Sequence, residues 1–596
     1  MTETHQSLTE AEEKTLRLAA RRFALEPFTS ETLAEAFPGR ISGYEAMLGI
    51  ERLRLRGIIV TRKKAWGERI HMISPDVFSE WQQVLLLGSA GAEDCSVSGD
   101  EVEAACEPKK GLPRLLFYVL ASIANEGLPL THKGAFHKKD VQRLLARLDV
   151  DEADLSGLDI AYAHQDKLPK PLAVVYDAAL RLGLVRQGVT RAEIVRDRVE
   201  EWLKRPEAEM DERLFQMWLD VYMPDDVYLQ HMAACLLKLP AGRWISADRL
   251  HALLLEAGAD PLDRTADEAM EAVLRHWLRP LSALGWLTLG RTRGGSPAAE
   301  TVVRRKFSCE ETQGWYVQPD FEVFVPPGVP YAARWELAAF AEFAGGDEVE
   351  KYHLTKRRWE HALASGHQAE RMLATLGRHA VSGLAEHVEA ALREWSAQFG
   401  AVTIEEATLL RCRSKQDADY IRNAVANAEF ILEAVGERDF IVDAKRASLF
   451  MELLRRQGFS PRMARQSSES GEEPAAVEGS RAEGIVFSRR NASFFPIDPS
   501  PPGVEQLKAR IDRVPQVWLR TLRKYHTSTF RELLETAIDV RTAVKLKVDG
   551  RELEMIPTLV RPAGSEWIVR GFVNGAETEI RSGLCEAAQL LIPESC

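Results

Sequence analysis

The chain has 596 residues, 45% of them hydrophobic, with 77 lysines and arginines against 89 acids for a net charge of −12; at about 150 residues per domain there is room for roughly four domains with sizeable cores. The acidic balance excludes a global pull toward nucleic acid, so any DNA contact has to come from local basic surfaces. Uncharged stretches reach only about a dozen residues against the ~20 that a bilayer needs, and the polar, acidic start MTETHQSLTEAEEK argues against secretion.

Residues 8 to 78 read as three helices followed by two short strands. Leu16, Ala19, Ala20 and Phe23 line the first helix, and Pro27 stops it. Thr29 or Ser30 caps the second helix and Ser42 the third, which Gly57 ends before a strand, a Trp66-Gly67 turn and a returning strand from Arg69 to Ile73. That order predicts a winged helix-turn-helix, in which the third helix enters a major groove and the hairpin lies along the backbone. Arg52, Arg54, Arg56, Arg62, Lys63, Lys64 and Arg69 cluster at the end of the third helix and on the hairpin and are the candidate DNA-binding residues. The alternative is a solvated face on a protein-binding module, because residues 1 to 75 balance to only +2.

The pattern recurs twice with less clarity. Residues 111–225 hold the apolar helix LLFYVLASIA and later AVVYDAALRLGLV running into a strand, and 226–310 hold HMAACLLKL, ADRLHALLLEA and LRHWLRPLSALGWLTLGR. In each, a last helix closed by glycine precedes a strand. With 1–90 these make three tandem winged helices, and the acidic interval 91–110 is the expected linker between the first two.

No seat for catalysis is visible. The dipeptide Gly-Lys never occurs, which removes the phosphate cradle G-x-x-x-x-G-K-[ST]. Asp151-Glu152-Ala153-Asp154 spells a helicase metal-binding tetrad, yet without a phosphate loop it reads as an acid cluster starting a helix or loop. The histidines between His353 and His387 form no H-E-x-x-H, and the seven scattered cysteines form no C-x-x-C pair, so no metal or cofactor is expected and a reducing cytoplasm suits the thiols.

From residue 314 the character changes to an α/β unit spanning 311–462. Val317 to Pro327 reads VQPDFEVFVPP; Tyr352-His353-Leu354-Thr355 then opens a helix closed by Gly366, followed by a helix ending at His379 and the segment Val388 to Trp395. This succession resembles the N-terminal domain of XPB/Ssl2-type DNA helicases. In that family the domain precedes two ATPase lobes, which this sequence lacks, so the resemblance implies association with an XPB-type DNA helicase without helicase activity. Winged helices ahead of such a unit also resemble the TFIIH subunit that clasps XPB through a matching domain, an analogy of order. Phe321, Val323, Phe324, Thr355 and Arg358 are the candidate partner-binding residues.

Residues 463–484 are acidic and free of aromatic residues, as a flexible linker is. In the final unit, 485–596, residues 489 to 524 carry +5 interleaved with Phe494, Phe495 and Trp518, which fits either a single-strand grip or half-buried amphipathic helices. Short strands parted by Asp549-Gly550, Ala563-Gly564 and Asn574-Gly575 then predict a small β-barrel. The helix before them, Ile556-Pro557 and Trp567-Ile568-Val569-Arg570 resemble a WYL domain, although Ile568-Val569 replaces that family's Tyr-Leu, which puts its ligand contacts in doubt. The expectation is therefore a multi-domain α+β protein, mainly helical. Functionally it reads as a non-catalytic accessory factor in DNA repair or transcription that binds a helicase, DNA or both. The alternative is a winged-helix transcriptional regulator with a ligand-sensing barrel.

Overall fold

The computed structural model describes residues 8–88, 92–105, 110–261, 263–293, 299–305, 312, 314–400, 402, 407–424, 427, 429–462, 484–487, 495–563 and 566–593. The chain is a mixed α/β protein with several separate sheets. The expected linker 463–484, all but Gly484, lies outside the described residues, as does Phe494. No described helix is long and apolar enough to cross a membrane.

The first helices are set by their caps. Thr9 with Glu12, and Ser42 with Glu45, close reciprocal capping boxes on α1 (Glu10–Phe23) and α3 (Gly43–Leu55), with α2 (Ser30–Ala36) between them. Gly57, at φ +71°, turns α3 into β1 (Ile59–Lys63), which pairs antiparallel with β2 (Arg69–Ile73). Helix α4 (Pro75–Gln82) follows, and Leu16, Ile50, Leu53 and Phe78 join the main hydrophobic core.

The interval 91–110, expected as a linker, instead supplies β3 (Ser96–Val97) and β4 (Val102–Ala105). Val97 and Val102 pack with Trp244 and Val302, so the apolar residues of this acidic stretch belong to a sheet. The middle of the chain then runs α5 (Leu112–Glu126), β5 (Leu128–Pro129), α6 (Lys138–Leu148), β6 (Ala161–Tyr162), α7 (Lys170–Arg181), β7 (Val185–Gln187) and β8 (Arg191–Ile194). After α8 (Arg196–Leu203) and α9 (Glu207–Tyr222) come α10 (Val227–Leu237), β9 (Trp244–Ser246), α11 (Ala247–Glu256), α12 (Ala266–Val273), α13 (Arg279–Ala283), β10 (Leu287–Thr292) and β11 (Thr301–Arg305). The two sheets are ordered β5-β8-β7 and β3-β9-β11-β10-β4. Each middle unit contains a hairpin, β7-β8 followed by α8 and α9 in the first and β10-β11 in the second, and the second gains β3 and β4 from the segment that precedes it.

Residues 315–462 divide in two. In the first part β12 (Tyr316–Val317), β13 (Glu322–Val325), β14 (Glu342–Gly345) and β15 (Glu350–His353) form a sheet ordered β12-β13-β15-β14. It packs with α14 (Tyr331–Phe340), α15 (Lys356–Ala364), α16 (Ala369–Arg378) and α17 (Glu386–Gln398), and its core is continuous with that of the helical modules. The second part is β16 (Thr408–Arg411), α18 (Lys415–Asn423), β17 (Ile431–Ala434), β18 (Asp439–Val442) and α19 (Ala447–Arg456), with a core of its own around Phe440, Phe450 and Leu454.

The chain then returns to its beginning. Gly484 packs on Asp177, and β19 (Val486–Phe487) pairs with β6. Residues 495–498 run along the edge of the first hairpin and bridge to β1 at Arg62–Ile497: Lys63 N donates to Pro496 O at 3.1 Å and Asp498 N to Thr61 O at 2.9 Å. Helices α20 (Val504–Ile511), α21 (Gln516–Arg520) and α22 (Thr527–Val540) lead into β20 (Val544–Val548), β21 (Arg551–Ala563), β22 (Glu566–Val573), β23 (Ala576–Arg581) and β24 (Cys585–Leu590). Asp549-Gly550 and Asn574-Gly575 all sit at positive φ, as two-residue hairpin turns require. The sheet order β23-β22-β21-β20-β24 leaves β23 and β24 unpaired with each other, so the small barrel expected from the sequence is not closed between these two strands. The outer edge of β24 is taken by Arg523, which exchanges backbone bonds with Ala588. Tyr44 and Leu48 of α3 sit in the core of this last unit beside Leu507 and Trp518.

Candidate functional site

The N-terminal basic cluster is spent inside the molecule. Arg52 is buried. Arg54 pairs with Glu51 at 2.5 Å and donates to Ser500 O at 3.0 Å, Arg56 pairs with Glu12 at 3.0 Å, and Arg62 donates to Phe495 O at 2.6 Å. Lys64 meets Glu68 at 3.1 Å and lies over Trp66, while Arg69 pairs with Asp498 at 2.7 Å. Burial opposes the Asp498 charge, but bonds from Ser500 and the nearby Arg69 and Arg54 outweigh it and hold the carboxyl below its ordinary range. Only the Lys63 side chain is left exposed without such a partner among the described residues. The face of α3 carrying Tyr44 and Leu48 is covered by the C-terminal unit, so α3 as placed here does not offer that face to a groove.

The candidate partner residues divide differently. Val323 is fully buried in the sheet. Phe321, at φ +69°, stacks on Trp395 with ring centroids 5.5 Å apart, and Phe324 lies half-buried beneath Lys351. Thr355 caps α15 by accepting from Arg358 N, and the Arg358 guanidinium donates to Ala338 O at 2.8 Å. Of the five, Thr355 and Arg358 stand together, and Arg358 lines an open cleft.

That cleft, of about 470 Å3, lies between the first helical bundle and the β12–β15 unit and is lined by Phe117, Glu126, Arg147, Phe343, Arg358 and His361 among others. Arg147 pairs with Glu126 at 2.7 Å. Burial depresses the pKa of Arg358, partly offset by Glu126. Beyond Asn125 and Ala338, which line both, a second cleft of about 700 Å3 holds Arg191, Glu193, Arg196, Trp335 and His367. Burial, then Arg196, Arg358 and Arg371, lower the His367 pKa, so its ring sits in positive potential.

Beneath the first cleft is a buried ionic knot that sequence reasoning missed. Glu350 of β15, fully buried, accepts from Arg334 at 2.5 Å, from the Tyr118 hydroxyl at 2.6 Å and from Tyr352 at 3.2 Å, with Arg114 Nε 3.4 Å away. Arg334 also donates to the carbonyls of Val329, Pro326 and Pro327. Burial opposes the Arg114 charge, yet Glu350 more than compensates and its pKa rises; burial and then Glu350 drive the Tyr118 pKa up as well. Arg114 and Tyr118 belong to α5, so the knot ties the helical bundle to the β12–β15 sheet. No local spacing announces a partner 232 residues away.

In the Asp151–Asp154 tetrad, Asp151 caps a short 3-10 turn by accepting from Ala153 N. Among the described residues no group of His, Cys, Asp and Glu could hold a metal ion, and Cys95, Cys235, Cys412 and Cys585 are free.

The architecture is that of a mixed α/β protein in which helical, hairpin-ended units are joined to an α/β unit at 315–462. The family model for the helicase conserved C-terminal domain matches residues 315–435, about a fifth of the chain, so a helicase-related domain lies in this stretch. The match takes in the whole four-stranded sheet and runs into the second part as far as the end of β17. No curated protein matches the chain.

Proposed function

We propose that this chain is a non-catalytic accessory protein that acts beside an XPB-type DNA helicase in bacterial DNA repair or transcription, in the cytoplasm. The observation that carries the reading is a helicase-related domain at 315–435 in 596 residues that contain no Gly-Lys and hence no nucleotide cradle. In this reading residues 311–462 are an XPB/Ssl2 N-terminal-like unit, the hairpin-ended units before it are winged helices, and the last unit is WYL-like. The partner surface of this reading is the β16–β18 part, where Leu432 is 67% exposed, Leu449 59% and Tyr420 56%.

The test is a pull-down with an XPB-type helicase and ATPase assays with and without the chain. Complex formation and a changed rate are expected, and Leu432→Asp should weaken both. Absence of a complex and of any rate change refutes the partner claim, and nucleotide turnover by the purified chain alone refutes the non-catalytic one.

A further inference from the structure

On the first hairpin Lys64 and Arg69 pair with the carboxylates of Glu68 and Asp498, whereas the cations of a second basic stretch have no such partners among the described residues. Between residues 510 and 526 the chain carries Arg510, Arg513, Arg520, Arg523 and Lys524 against the single acid Asp512. All five cations are exposed, and none has a carboxylate partner among the described residues; Arg523 donates only to the Thr521 hydroxyl, at 2.7 Å. They lie on the end of α20, on the turn after it, on α21 and on the extended segment that borders β24, so +4 is concentrated on one short stretch of a chain whose net charge is −12. His526 closes the stretch as the cap of α22, its Nδ1 accepting from Ser528 N.

We propose that this strip is a docking site for the sugar-phosphate backbone of duplex DNA. Unpaired guanidinium and ammonium groups bind phosphates by releasing condensed counterions, without reading sequence. Duplex is favoured over single strand because the described aromatic residues of this stretch are turned to the C-terminal core, Trp518 being 7% exposed and Tyr525 half-buried against it, whereas single-strand grips depend on exposed aromatic platforms. The strip also faces no competition from within, unlike Arg54, Arg62 and Arg69, whose partners are Ser500, Phe495 and Asp498.

The inference deepens the accessory reading by naming where DNA is held. Its failure is separable, since the helicase pull-down concerns residues 311–462 and does not involve the strip. The experiment is fluorescence anisotropy with the full chain and a mixed-sequence duplex of about 20 base pairs between 50 and 200 mM salt. Five phosphate contacts give a log–log slope of about −4.5, an affinity loss of about 500-fold over that range. Replacing Arg513, Arg520, Arg523 and Lys524 by Gln leaves a slope of about −0.9 and a loss of about 3-fold. The control Lys63→Gln/Lys64→Gln should keep the parent slope. If the fourfold variant loses its thermal transition, the pairs Arg513→Gln/Arg520→Gln and Arg523→Gln/Lys524→Gln serve instead, each lowering the slope by about 1.8. An unaltered slope in these variants, a loss confined to the Lys63/Lys64 control, tighter binding of a single strand than of duplex, or no duplex binding by the parent chain each overturns the proposal.

Discussion

Glu350 is where one atom-for-atom change should do the most damage. Glu350→Gln preserves shape but leaves Arg114 and Arg334 buried beside a neutral amide, with Arg334 only 1% exposed at its side chain. Both guanidiniums keep carbonyl partners, Arg334 at Val329, Pro326 and Pro327 and Arg114 at Asp347 and Glu348, so what is lost is charge compensation more than hydrogen bonding. Removing one member of a buried ion pair typically costs about 3–5 kcal/mol, and the retained carbonyl bonds place this case near ~3 kcal/mol. Tyr118→Phe removes a single bond to the same carboxylate and should cost about 1.5–3 kcal/mol. Urea unfolding followed by tryptophan fluorescence measures both, and Arg114→Met added to Glu350→Gln should recover part of the loss, because one of the stranded charges is gone. A Glu350→Gln stability within 0.5 kcal/mol of the parent, or a double variant that is simply additive, would refute the idea that this knot joins α5 to the sheet through charge.

The buried histidines make stability depend on pH. Desolvation lowers the pKa of His71 and of His231 from 6.5 to about 4. The unfolded chain therefore takes up these protons first, so stability present above pH 6.5 is lost as pH falls toward 4, by ~3 kcal/mol per group. A urea midpoint that does not fall between pH 7 and 4.5, or a fall undiminished in His231→Gln, would contradict this. Asp177 is buried and binds Val486 N at 2.8 Å, Arg181 at 2.7 Å and the Tyr222 hydroxyl at 3.1 Å. Asp177→Ala should speed hydrogen exchange at Val486 and cost about 3–5 kcal/mol, and unchanged protection would count against it. At Gly49 an added Cβ would come within 2.0 Å of the Thr15 hydroxyl, where α1 and α3 meet. Overpacking of about 1–3 kcal/mol should exceed the ~1 kcal/mol that alanine gains in helix propensity, so a thermal melt of Gly49→Ala should show a lower midpoint.

Local chemistry was legible and long-range partnership was not. Ser42 and Gly57 bound α3 as read from the sequence, and Asp549-Gly550 and Asn574-Gly575 make the expected turns, because caps and left-handed turns are fixed by a few adjacent residues. The charges of Arg54, Arg62 and Arg69 were just as visible, but the groups that hold them, Ser500 O, Phe495 O and the Asp498 carboxylate, lie more than 400 residues downstream, where composition gives no hint of contact. The acidic residues of 91–110 masked two strands because Val97 and Val102 are sparse anchors in a polar stretch. Glu350 looked like any strand carboxylate, since its burial depends on α5.

The bridge from residues 495–498 to the first hairpin also sets a clock on biosynthesis. Lys63 emerges from the ribosome some 430 residues ahead of Pro496, which at roughly 5–20 residues per second amounts to about 20 to 90 s. Throughout that interval the outer rim of β1 is an open template for any passing extended peptide, the situation that promotes mispairing and clumping. Fragments ending before residue 495 keep that template permanently, so a stable, well-behaved recombinant form of the N-terminal half should need residues 495–503 supplied to it, in cis or as a separate peptide.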